Sequence, residues 1–136
     1  MEFVVVKESI LTMRCQYFYL VVISFMVVAC TDDARHNLVL SQYQYDFGSV
    51  KQGDLCTGHV KVYNKGIKDI HISQVKGDCG CTTVYIDRHT IVCNDSTTLH
   101  FTLDTKNKQG DIENFIIIEA NTDSVVHYVQ VLATVE

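Results

Sequence analysis

Cys79 and Cys81 stand one glycine apart in the stretch KGDCGCTTVY, Lys76 to Tyr85, just ahead of a threonine- and valine-rich run that reads as a strand. Two thiols this close can exchange disulfides, hold a soft metal ion, or serve only to fix a turn. Exchange needs a thiolate favoured by a base, a cation or a helix N-terminus, together with a resolving partner. Here Asp78 is the neighbour, and a carboxylate raises a thiol pKa. The spacing is not Cys-X-X-Cys, and a single intervening residue is expected to strain a ring closed between the two sulfurs. A metal site on Cys79 and Cys81 would need a histidine to complete it, and His89 is the nearest in sequence. His59, His71 and His100 fall on outward strand phases, while His127 falls on the apolar phase of the last strand near its open end. Histidines scattered in this way match no zinc spacing, so no metal and no cofactor is expected.

The third role is architectural. Read as a hairpin, TTVYIDRHTIVC turns at Asp87 to His89 and sets Cys81 across from Cys93, within reach of a cross-strand bridge. Cys56 starts a different strand and is left as the partner of Cys79. Four cysteines permit three pairings, and a fully reduced set in which Gly80 merely serves a turn stays open. A bridge would add typically about 2 to 4 kcal/mol to a small core.

The compartment bears on that choice. Tyr17 to Ala29 is an unbroken apolar run, too short for a spanning helix of about 20 residues but right for a signal-peptide core of about 7 to 15. The run ends in VVAC, Val27 to Cys30, which resembles the lipobox of bacterial lipoproteins. Residues 1–29 are therefore expected to be a signal peptide, with Met13 an alternative start, and Cys30 the acylated first residue of the mature chain. Acyl chains contribute about 0.8 kcal/mol per buried methylene, so the chain is expected to be anchored to a membrane of the cell envelope, the outer membrane for choice, and not to span it. Residues 30–40, beginning TDDARHN after the cysteine, read as a polar tether, and 41–136 as one domain. Acidic residues directly behind the cysteine resemble the surface-export signal of some Bacteroidetes lipoproteins. An oxidising envelope favours disulfides over catalytic thiols.

The elements that must hold the motif are strands. Proline and tryptophan are absent, and Val, Ile, Thr, Tyr and Phe are abundant. From Leu38 the chain alternates in twos: Tyr43, Tyr45 and Phe47 share a phase, Val60 and Val62 point inward, as do Ile70 and Ile72, and Leu99, Phe101 and Leu103. NFIIIEAN, 114–121, is apolar on both phases and reads as a central strand. The expected fold is all-β, an immunoglobulin-like sandwich of about seven antiparallel strands. Eleven Lys and Arg against sixteen Asp and Glu give a net charge of −5 without a basic stripe, which argues against binding nucleic acid.

Several stretches together resemble the bacterial domain of unknown function 1573, an Ig-like module of secreted and lipoprotein chains. They are FGSVKQGD at 47–54, VKVYNKG at 60–66, DIHISQVKGDCGCT at 69–82, LHFTLDT at 99–105, Gly110, and IIIEANTD at 116–123. Asp78, Cys79, Gly80, Cys81 and Thr82 form the most specific piece. Gly48 and Gly53 suit breaks with positive φ, and Asn64 with Gly66 a turn. The resemblance implies a fold and a location but no reaction. Family members usually carry prolines after the motif, where this chain has a charged hairpin and Cys93.

No catalytic motif is present, so the expected function is a non-catalytic, membrane-anchored module binding an envelope protein or a glycan through edge strands and end loops. The alternatives are a thiol redox or metal-binding role for Cys79 and Cys81, and pairing between copies through NFIIIEAN or an edge strand.

Overall fold

The computed structural model describes residues 36–136, so the expected signal segment, Cys30 and most of the tether lie outside the described residues. Nine strands follow in order: β1 (Leu38–Leu40), β2 (Gln44–Val50), β3 (Leu55–Asn64), β4 (Ile70–Gly77), β5 (Thr82–Ile86), β6 (Thr90–Ile91), β7 (Ser96–Asp104), β8 (Gly110–Ala120) and β9 (Val126–Val135). One sheet has the order β1-β3-β7-β5 and the other β2-β9-β8-β4-β6. The described residues form an all-β, Ig-like sandwich of two sheets.

The period-two alternation produces this layering. Val60 and Val62 of β3, with Leu99, Phe101 and Leu103 of β7, project from the four-stranded sheet; Ile70, Ile116, Ile118, Val129 and Val131 meet them from the five-stranded one. Each such side chain contributes about 1.5 to 3 kcal/mol by full burial. β8 lies at the centre of its sheet between β9 and β4, as its two apolar faces predict. Both of its edges are taken, so NFIIIEAN is not available to pair with a second copy.

Gly58 supplies space for two aromatic rings of the core. A Cβ there would stand 2.6 Å from the Phe101 ring and 3.0 Å from that of Tyr45. The gap lets Phe101 meet Tyr45 edge-on at 5.1 Å, with Phe47 closing the cluster.

Four features differ from the expected fold. β2 pairs in parallel with β9, so the strands are not all antiparallel; the two strands lie far apart in sequence and meet through no local turn that sequence could reveal. Leu38–Leu40 is a strand paired with β3, so the sandwich takes the last residues of the segment expected as tether. Residues 82–93 do not form a hairpin. β5 pairs with β7 while β6 pairs with β4, because the Asp87 and Arg88 N–H groups bond Thr98 O and Thr97 Oγ1 before the chain crosses between sheets. Asn64 and Gly66 are not a simple flexible turn: both are buried, neither has positive φ, and the Gly66 N–H donates to Asn64 Oδ1. Gly48 and Gly53 do take positive φ, +68° and +92°.

Asn64 is fully buried at the end of β3, and its Nδ2 donates to Lys68 O at 2.8 Å and Ile91 O at 2.9 Å. It thereby ties three segments from both sheets. Leu38 pairs with it, so the described chain enters the sandwich at this end.

Candidate functional site at the Cys-Gly-Cys turn

The motif occupies the opposite end, where the chain leaves β4 for the other sheet. Three backbone bonds fix the crossing: the Asp78 N–H to Phe115 O at 2.8 Å, the Thr82 N–H to Cys79 O at 3.2 Å, and the Asp104 N–H to Cys81 O at 2.9 Å. Gly77 is required at the entry, since a Cβ there would stand 2.7 Å from Thr82 O. The turn this produces brings the Cα atoms of Cys79 and Cys81 to 5.3 Å, an ordinary span for a disulfide, and the two are bonded to each other.

This corrects the expected pairing. The bridges Cys81 to Cys93 and Cys56 to Cys79 are absent, and Cys56 and Cys93 are free. Because β5 and β6 join different sheets, Cys81 and Cys93 lie at opposite ends of the sandwich. The turn at Gly80 instead brings the two cysteines of the motif to each other. Cys56 is buried in β3, and burial, with Asp54 adding to it, pushes its thiol pKa up. Cys93 is exposed and donates to Gly66 O at 3.1 Å.

A ring of three residues constrains the unfolded chain little. Chain entropy gives on the order of 1.5 kcal/mol for so short a loop, against roughly 3 kcal/mol for one of fifteen residues. The polar surroundings of the sulfurs are more distinctive. The Cys81 N–H donates to Cys79 Sγ at 3.2 Å. Asn114, buried in β8 at 7% exposure, directs Nδ2 to Cys81 Sγ at 3.3 Å and to Thr82 Oγ1 at 3.4 Å. Thr82 Oγ1 in turn lies 3.9 Å from both sulfurs.

Beside the turn, an apolar groove of about 420 Å³ is lined by Asp78, Phe115, Ile117 and Tyr128 on the outer face of the five-stranded sheet. Asp78 joins the groove to the motif, since it precedes Cys79 and bonds Phe115.

The histidines do not assemble here. His89 Nδ1 lies 2.9 Å from Ile72 O, toward the far end of β4 from the motif, so it is no third ligand to the sulfurs. Among the described residues no group of three or more His, Cys, Asp and Glu stands close enough to hold a metal ion. His59 and His71 are exposed, His100 is half-buried beside Asp87, and His127 is half-buried. Sequence reasoning missed Asn114. The signal was present: it shares the inward phase of Ile116 and Ile118, where a polar residue requires a partner.

The sequence matches the family model described as "Protein of unknown function (DUF1573)" over residues 38–135. The chain belongs to that family. No curated protein matches it. Among solved structures, a Porphyromonas gingivalis protein of unknown function is 21% identical with a TM-score of 0.66, covering 79% of this chain and 50% of its own. This DUF1573 chain thus spans about half the length of that protein. The secreted serine protease VesC of Vibrio cholerae is 16% identical over 76% of this chain and 24% of its own, TM-score 0.58. The ASH / PapD-like domain of human CEP192 is 14% identical over 81% and 92%, TM-score 0.55. At these identities the likeness is one of fold alone.

Proposed function

We propose that this DUF1573 protein is a lipid-anchored, non-catalytic module of the bacterial cell envelope that takes up an extended segment of another envelope protein along β5. The observation that carries the proposal is the open rim of that strand. β5 has β7 on one side and no described strand on the other. Cys81 O and the Asp87 N–H bond β7, so by alternation Val84 turns its backbone groups away from the sheet. Thr82–Ile86 carries no charge and no proline, the usual protections of an edge. The other edges are weaker templates: β1 has three residues, β6 has two, and β2 is broken by a register shift between Asp46 and Ser49. A docked strand would gain backbone hydrogen bonds from Val84, with Thr83 and Tyr85 exposed to select its side chains.

Anchoring through acylated Cys30 rests on VVAC, Val27 to Cys30, and the outer membrane is the envelope membrane we propose for it. The motif end of the sandwich is the one remote from Leu38, where the described chain enters it. Intact mass of protein extracted from its native membrane should equal residues 30–136 plus acyl groups; a chain without acyl groups would remove the anchor. Docking is tested with a photo-cross-linking residue at Thr83 and, as control, at His59 in the middle of the four-stranded sheet. Discrete protein adducts are expected from position 83 and not from 59. No protein adduct, or the same adducts from both, would contradict strand addition.

A further inference from the structure

We infer that the Cys79–Cys81 bond is a thiol–disulfide exchange site, open to the dithiol of another protein and independent of strand docking on β5. The bond joins residues that three backbone hydrogen bonds already hold, so opening it releases little of the fold. Both sulfurs accept hydrogen bonds, Cys79 from the Cys81 N–H and Cys81 from Asn114 Nδ2. A donor on sulfur favours thiolate over thiol, which makes the cysteine a better leaving group. Asn114 is buried, and Nδ2 has only that sulfur and Thr82 Oγ1 as described partners, both at long range. Such an amide is a poor structural tie and a well-placed donor for a developing thiolate.

Approach is open. Cys79 and Cys81 are half-buried, Gly80 is exposed, and a Cβ on Gly80 would meet nothing within 4 Å. The groove of Phe115, Ile117 and Tyr128 continues from the turn and can seat apolar residues flanking a partner cysteine.

Cys81 packs against the core cluster and Cys79 does not, so Cys79 Sγ is the sulfur attacked. The partner's thiolate forms a bond to Cys79 Sγ while the Cys79–Cys81 bond breaks, its electron pair leaving on Cys81 Sγ beside Asn114. The partner's second thiolate then attacks its own sulfur in the mixed disulfide. Cys79 leaves as a thiolate and takes a proton from water. Two electrons pass from the partner dithiol, which becomes a disulfide, to the Cys79–Cys81 pair. The exchange is stoichiometric, one bond per chain, and compatible with a binding module.

Dithiothreitol serves as the probe dithiol on the full chain in detergent without denaturant. Free thiols are first blocked with N-ethylmaleimide; after incubation, new thiols are capped with iodoacetamide and the protein weighed while near-ultraviolet circular dichroism follows the fold. Two new caps on Cys79 and Cys81 with an unchanged spectrum are expected. Caps that appear only as the spectrum collapses would overturn the proposal. In a Cys79→Ser background, Asn114→Ala should cut the thiolate fraction of Cys81 about tenfold at neutral pH and shift its alkylation profile upward. An unchanged profile in the folded variant would overturn the role of Asn114. The wild-type measurement stands whether or not that variant folds. Cross-linking at position 83 and capping at 79 and 81 read different atoms, so either result can fail alone.

Discussion

Each end of the sandwich buries one asparagine on the inward phase of a strand, and the two are used differently. The Asn64 side chain makes three hydrogen bonds of 2.8 to 3.0 Å, all to backbone, and joins β3 to the loop before β4 and to β6. Asn114 directs its amide to a sulfur and a hydroxyl at 3.3 and 3.4 Å. Short bonds to backbone carbonyls hold an architecture together. Long bonds to a disulfide hold little in the resting state and become stronger if the sulfur gains charge. The Asn64 end is a staple, and the Asn114 end is a site.

The largest effect should come from breaking the staple. Asn64→Ala leaves Lys68 O, Ile91 O and the Gly66 N–H without partners, and should cost at least about 3 kcal/mol in denaturant unfolding. Asn114→Ala should cost about 1 kcal/mol in the same measurement, since it loses only two long bonds. Equal losses would erase the contrast.

The staple end also carries the titrating group. His127 shares a cavity with His36, Leu38 and Asp123, and its Nε2 lies 2.7 Å from Thr122 Oγ1. Thr122 Oγ1 donates its proton to Ser124 O, so His127 Nε2–H is the donor of that contact. Burial, opposed by a hydrogen bond with the Ser124 backbone, holds the His127 pKa below its ordinary 6.5. Between the two pKa values the unfolded chain binds more protons, so the stabilisation is complete above about pH 6.5 and is lost as pH falls through the folded value. Melting temperature should therefore drop on acidification from about pH 7.5 to about pH 5, and His127→Gln should flatten the drop. A slope unchanged by the substitution would assign the effect to other groups.

Alternation made the core legible before the structure. Val60, Val62, Leu99, Phe101, Leu103, Ile70 and Ile72 are all buried as their phase required, and β8 is central as its two apolar faces required. Alternation says which face a residue takes, not which sheet a strand joins. Asp87–His89 therefore read as a hairpin turn when it is a crossing between sheets, and the cysteine pairing built on that hairpin fell with it. Likewise Asn64 and Asn114 sat on inward phases in plain view, but Ile91 O and Cys81 Sγ, which they reach across the fold, lie 27 and 33 positions away in sequence, where no local pattern reveals them.

The most direct measurement is the unfolding free energy of the oxidised and the reduced protein, compared in the same buffer. If the Cys79–Cys81 bond is a site, the reduced chain keeps its fold and loses no more than about 1.5 kcal/mol, the loop-closure contribution of so short a ring. A loss beyond about 3 kcal/mol, or unfolding on reduction, would make the bond a staple and contradict the contrast between the two ends.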